Sequence, residues 1–126
     1  MQITIPLNPI TKKNHGRIVQ KRLASGKTLP IMLPSEAYIK YEKECKQYMP
    51  KLNKPIDYPV NLRCLYFMET KRKCDITNLL QATCDVLTKY KVIEDDNYSV
   101  ISSFDGTRVY YDKDNPRAVI CIEKKD

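Results

Sequence analysis

Polar and apolar positions alternate over QITIP, residues 2 to 6, and Pro6 and Pro9 close what reads as a first strand. Residues 7 to 33 lose that order. Turn formers are frequent there, and Lys12, Lys13, Arg17, Lys21, Arg22 and Lys27 run through the segment. It predicts a long surface loop with a short hairpin around Ser25-Gly26, and loops of that length in a compact domain are usually functional or mobile. Ser35 then offers an N-cap, and Tyr38, Tyr41, Cys45 and Tyr48 form a stripe at helical spacing. The spacing predicts a helix over 36 to 49, ended by Pro50 and followed by a connection that contains Pro55. VNLRCLYFM, residues 60 to 68, is nearly continuous in apolar character, which predicts a central strand covered on both faces. The clearest helix is 76 to 90, where Ile76, Leu79, Leu80, Thr83, Val86, Leu87 and Tyr90 make one apolar stripe. At about 100° per residue, Asn78, Gln81, Asp85 and Lys89 share the opposite face. YSVISSF reads as a strand, Asp105-Gly106 as a hairpin signal, RVYYD as its return, and RAVICIE (117 to 123) as the last strand. Together these elements predict one α/β (α+β) domain over residues 1–126, a mixed sheet of about four strands with two main helices packed on one face.

Length agrees with a single domain, and 42% apolar residues suffice for a core. No run of about 18 apolar residues exists, which argues against a membrane span. The opening MQITIPLNPI has neither the basic nor the apolar region of a signal peptide, so a cytoplasmic protein is expected. The five cysteines include no CxxC pair and His15 is the only histidine, which leaves structural zinc without its usual ligand spacing. Buried, reduced thiols are the expectation. A net charge of +7 favours an anionic partner, most often nucleic acid.

The chemistry concentrates in KRKCDITNLLQATCDVLTKYKVIEDDNY, residues 71 to 98. Lys71, Arg72 and Lys73 lead into Asp75, and Glu94, Asp95 and Asp96 follow the helix. Each feature has a plain structural meaning: a helix cap, a polar turn and a solvated loop. Their combination points further. If the chain after Tyr90 folds back along the helix start, Asp75 converges with Asp95 or Asp96. Oxygen ligands without His or Cys suit Mg²⁺ or Mn²⁺. An ion in such a site, flanked by cations, attracts a phosphate backbone and supports phosphodiester cleavage.

At these residues the sequence resembles the RusA-type Holliday-junction resolvases, small endodeoxyribonucleases of bacteria and prophages. Their motif runs from basic residues into Asp-x-Asp-Asn-Leu-x-Lys at a helix start, with Asp-Asp some 15 to 20 residues later. KRKCDITNLLQ and VIEDDN are the matching stretches. ITIPLNPITKKN, PSEAYIKYEKE and NPRAVICIE extend the similarity over most of the chain. The resemblance implies a mixed α/β fold, a homodimer, Mg²⁺ dependence and symmetrical nicking of four-way DNA junctions. It carries the metal and catalytic roles onto Asp75, Asp95 and Asp96, with Asp96 as the catalytic member of the later pair, and matches Asn78 to the motif asparagine. Two positions depart from it. Thr77 stands at the motif's second aspartate and Gln81 at its lysine. Glu69, Glu94 and Asp85 are candidate replacements for the missing carboxylate, and Lys12, Lys13 or Lys73 for the missing cation.

The sequence therefore predicts a Mg²⁺-dependent, structure-selective DNA endonuclease of recombination and repair, with Mn²⁺ as a possible substitute. Asp75, Asp95 and Asp96 would hold the metal. Lys12, Lys13, Lys71, Arg72 and Lys73 would bind phosphates, and Asn14 and Asn78 would contact DNA. The alternatives are a non-catalytic branched-DNA-binding protein of the same fold and an RNA-directed nuclease.

Overall fold

The computed structural model describes residues 1–12, 17–33 and 35–125. Strands β1 (Gln2–Ile5), β4 (Val60–Met68), β5 (Ile101–Ser103), β6 (Arg108–Tyr111) and β7 (Arg117–Lys124) form one mixed sheet. Strands β2 (Arg17–Arg22) and β3 (Thr28–Leu33) form a separate antiparallel pair. Helices α1 (Glu36–Cys45) and α2 (Ile76–Lys89) complete a single α+β domain. No described helix is long and apolar enough to cross a membrane.

Alternation along the strands decides which sheet face is covered. Val60, Leu62, Cys64 and Tyr66 of β4 are buried, as are their neighbours Ala118, Ile120 and Ile122 of β7 and Ile3 and Ile5 of β1. They share one core with Tyr38, Tyr41 and Cys45 of α1 and with Leu79, Val86 and Leu87 of α2. The Tyr66 hydroxyl fastens α2 to this face, donating to the Leu79 carbonyl at 3.1 Å and lying 2.6 Å from Thr83 Oγ1. The other face is not covered by a helix, contrary to the expectation for 60 to 68. Its apolar residues shield one another: Phe67 lies between Tyr110, 5.0 Å away and stacked, and the Arg117 guanidinium, 3.7 Å over the ring. An apolar run in a central strand thus needed only one helical layer, because cross-strand partners cover the rest.

α1 begins where Ser35 Oγ accepts from the Tyr38 N–H at 3.1 Å, the expected cap. It ends at Cys45 and tightens into a 3₁₀ turn over Lys46–Tyr48, short of the expected residue 49. Met49 is extended because the residue before proline is pushed out of the helical region. α2 closes with Lys91 in the left-handed region, φ 58°. The Val92 N–H donates to the Leu87 carbonyl and the Lys91 N–H to that of Thr88, the Schellman arrangement of a helix end. This turn reverses the chain, and Ile93 pairs with Ile56 in a short bridge.

The main sheet has five strands where about four were expected, and the short hairpin expected around Ser25-Gly26 extends into the six-pair β2–β3 ribbon through much of the expected loop. The strands after α2 differ from the sequence expectation in two further ways. Asn97 accepts the Ser99 N–H through its side chain and the Val100 N–H through its backbone carbonyl. That turn shortens the strand expected over YSVISSF to Ile101–Ser103. Asp105-Gly106 makes no hairpin. β5 and β6 both run parallel to β4, one after the other along the same edge. The turn between them is a bulge held by the buried Asn61, whose amide donates to the Asp105 carbonyl and accepts the Asp105 N–H. Gly106 is needed there twice over: its φ is +85°, and a Cβ would stand 2.5 Å from the Arg63 side chain.

All five cysteines are free and four are buried. Burial pushes the Cys45 and Cys64 thiols up to about 11 and that of Cys84 up to about 12, so they stay protonated at neutral pH.

Candidate active site

Asp75 occupies the N-cap position of α2, and its backbone carbonyl accepts the Asn78 and Leu79 N–H groups at 3.1 and 3.2 Å. Its side chain makes no capping bond. An aspartate here would ordinarily spend one carboxylate oxygen on an orphan N–H. This one is exposed and, among the described residues, uncommitted, at the positive end of the helix dipole. Lys71, Arg72 and Lys73 before it are also exposed. Lys71 Nζ lies 5.1 Å above the Tyr111 ring. Asn8 Oδ1 accepts the Glu69 N–H at 2.9 Å, which ties the N-terminal segment to the start of the basic run.

Further along α2 a second group of polar side chains assembles. Thr77, Gln81 and Asp85 are spaced i, i+4, i+8 and so follow one helix face. Gln81 Nε2 donates to Asp85 Oδ1 at 3.0 Å and to Asp96 Oδ2 at 3.4 Å. One amide thus joins a carboxylate of the helix to a carboxylate of the returning chain. Lys12 Nζ approaches Asp85 Oδ2 to 3.0 Å and lies 5.6 Å over the Tyr38 ring. Glu42 of α1, with 17% of its side chain exposed, pairs with Lys89. Lys12, Glu42, Asp85, Lys89, Asp95 and Asp96 surround a hollow of about 350 Å³. Four carboxylates against two lysines leave it net negative, a setting that attracts a cation and repels a phosphate until one is bound.

The fold-back after Tyr90 therefore brings Asp96 to Gln81. Asp75 stands six residues earlier on the helix, roughly 9 Å along its axis. No described hydrogen bond, ion pair or shared hollow links Asp75 to Asp95 or Asp96. Among the described residues, no three His, Cys, Asp or Glu side chains stand close enough to share a metal ion. Asp95 is engaged in its own turn, accepting the Asp96 N–H at 2.7 Å and the Asn97 amide at 3.3 Å. The Asp96 N–H holds the Asp95 carboxyl below its usual range. Asn78 is half-buried, and Lys13 and Asn14 lie outside the described residues.

Of the candidate replacement carboxylates, Asp85 alone lines this hollow; Glu69 and Glu94 do not. Of the described candidate cations, Lys12 reaches it and Lys73 does not, while Lys13 lies outside the described residues. Glu42 escaped the sequence reading. It sits one position off the α1 stripe, and no local signal separates it from the other acids of that helix.

Across residues 6–123 the chain matches the family model described as Endodeoxyribonuclease RusA. No curated protein matches it.

Proposed function

This chain belongs to the RusA endodeoxyribonuclease family, and from that premise we propose that it is a Mg²⁺-dependent endonuclease that nicks four-way DNA junctions in pairs. The observation that carries the reading to particular residues is the Gln81 amide shared by Asp85 and Asp96, beside Lys12.

The donor set fits the ion. Mg²⁺ draws one or two carboxylates from protein and fills its other positions with water and substrate phosphate. Asp85 and Asp96 supply two such groups. Asp95 borders the same hollow, whereas Asp75 lies outside it, at the helix start. When bound, the metal supplies Lewis-acid compensation for charge on the phosphoryl oxygens. Mn²⁺ suits the same oxygen donors.

The chain's own side chains do the rest. Gln81 is a positioning residue: its NH₂ group holds two carboxylates at a spacing they would otherwise resist by like-charge repulsion. In the family motif a lysine stands here, and the amide keeps the donor while losing the charge. Lys12 restores a cation, and its exposed ammonium can pass from Asp85 to an incoming phosphate. Lys71, Arg72 and Lys73 would hold flanking phosphates at the helix start, with Lys13, Asn14 and Asn78 as further DNA contacts. Paired nicks need two sites, which a C2 homodimer supplies.

The test is incubation of the purified protein with labelled four-way junction, duplex and single-stranded DNA and with an RNA junction, in Mg²⁺, in Mn²⁺ and in EDTA. Symmetrical nicks in the DNA junction, dependent on the metal, are expected. Junction binding without a nick in either metal would select the non-catalytic binder, which the threonine at position 77 favours. Preferential cutting of the RNA junction would select an RNA-directed nuclease.

A further inference from the structure

The β2–β3 ribbon plays no part in the site described above. Among the described residues it pairs only with itself, in six registered pairs from Arg17↔Leu33 to Arg22↔Thr28. None of its described side chains joins the core. Ile18 and Leu29 are 66% and 48% exposed, on opposite faces. A two-stranded ribbon alone is marginally stable in water, so a partner is expected to cover this one.

Charge identifies the partner. Residues 1 to 35 contain six Lys and Arg side chains and no Asp or Glu. Lys21, Arg22 and Lys27 gather at the ribbon's end, around the turn closed by the Gly26 N–H on the Leu23 carbonyl. None of the three enters an ion pair among the described residues. Two such ends would repel each other, which argues against a second copy of the ribbon as the occupant. A polyanion is what they fit.

The faces say how. Lys21 and Leu29 point to one side of the ribbon, Arg22 and Thr28 to the other. A ribbon lying flat on an anionic surface needs cations on one face only. A ribbon entering a groove meets phosphates on both sides. The major groove of B-DNA, about 12 Å wide, admits a two-stranded ribbon, and six residues of strand reach about 20 Å. The ribbon is rooted at the site, since Lys12 precedes it and α1, which carries Glu42, follows it.

We propose that the β2–β3 ribbon enters the major groove of a duplex arm of the DNA substrate, with Lys21, Arg22 and Lys27 on the flanking phosphates. This rests on the reading that the substrate is DNA, and the test separates the two. Binding of whole protein to a fluorescent long-armed junction is measured in EDTA against KCl concentration. The Lys21→Ala, Arg22→Ala, Lys27→Ala variant should flatten the slope of log K against log salt by about two to three units, at about 0.9 per phosphate contact. An unchanged slope, with wild type still binding, overturns the ribbon proposal alone. Equal flattening by Lys40→Ala, Lys46→Ala, Lys51→Ala would trace the effect to net charge and overturn it too. A wild-type dimer that dissociates on Ile18→Ser, Leu29→Ser with its salt slope intact would assign the ribbon to a second copy, which also overturns it. Failure of wild type to bind any DNA strikes the substrate reading beneath it.

Discussion

At the start of α2, Asp75 leaves its carboxylate free in a neighbourhood of three exposed cations, whereas at Gln81 and Asp85 the same helix meets Asp96 across a shared amide. The first region is net positive and the second net negative. Both were drawn from one 28-residue stretch, yet they suit opposite partners. On the proposed function, the helix start would take phosphates and the hollow beside Lys12 a cation, and their separation along one helix would keep the carboxylates away from the phosphates.

The most damaging change to this contrast is Asp96→Asn. It keeps the shape and a hydrogen-bonding oxygen but removes a charged ligand. Junction nicking should fall by on the order of 100-fold or more, while binding in EDTA stays equal or tightens, because the hollow repels phosphate less. A near wild-type nicking rate would reduce the Asp95-Asp96 turn to surface decoration. Next in size is the joint replacement of Lys71, Arg72 and Lys73 by Ala. The salt slope of junction binding should flatten by roughly two to three units, with the Mg²⁺ concentration for half-maximal nicking little moved. If that concentration shifts as much as binding does, the two regions act as one and the contrast fails. The smallest effect concerns acid. The Asp95 carboxyl sits below its ordinary value, so its contribution is present above the unfolded pKa of about 3.9 and is lost as pH falls through the lower folded value. Asp95→Asn should therefore narrow the difference in urea midpoint between pH 6 and pH 2.5, slightly. A wider difference would contradict the sign of that shift.

Where the sequence was legible, the information was local. The strand over 60 to 68 and the helix beginning at Ile76 announce themselves by composition and by 3.6-residue spacing, and Ser35 caps α1 as its position predicts. The family motif was legible too, because it lies within one helix and its flanks. Asp85 and Lys12 could be named as candidates, but nothing local distinguishes Asp85 from Glu69 or Glu94.

Periodicity, the Ser35 cap and the family motif belong to neighbouring residues, and these the amino-acid sequence determined by itself. Tertiary structure alone decided that Asp96 returns to Gln81, not to the helix start. It also decided that Asp105-Gly106 prolongs a parallel edge instead of turning a hairpin, and that Glu42 joins the hollow from another helix. The reason is the same in each case. The Lys91 turn sets where the chain leaves α2, the Ile56–Ile93 bridge sets where it goes next, and Asn61 pins the Asp105 backbone from a strand 44 residues away. These are long-range pairings, whose free energy depends on what the core has already brought together.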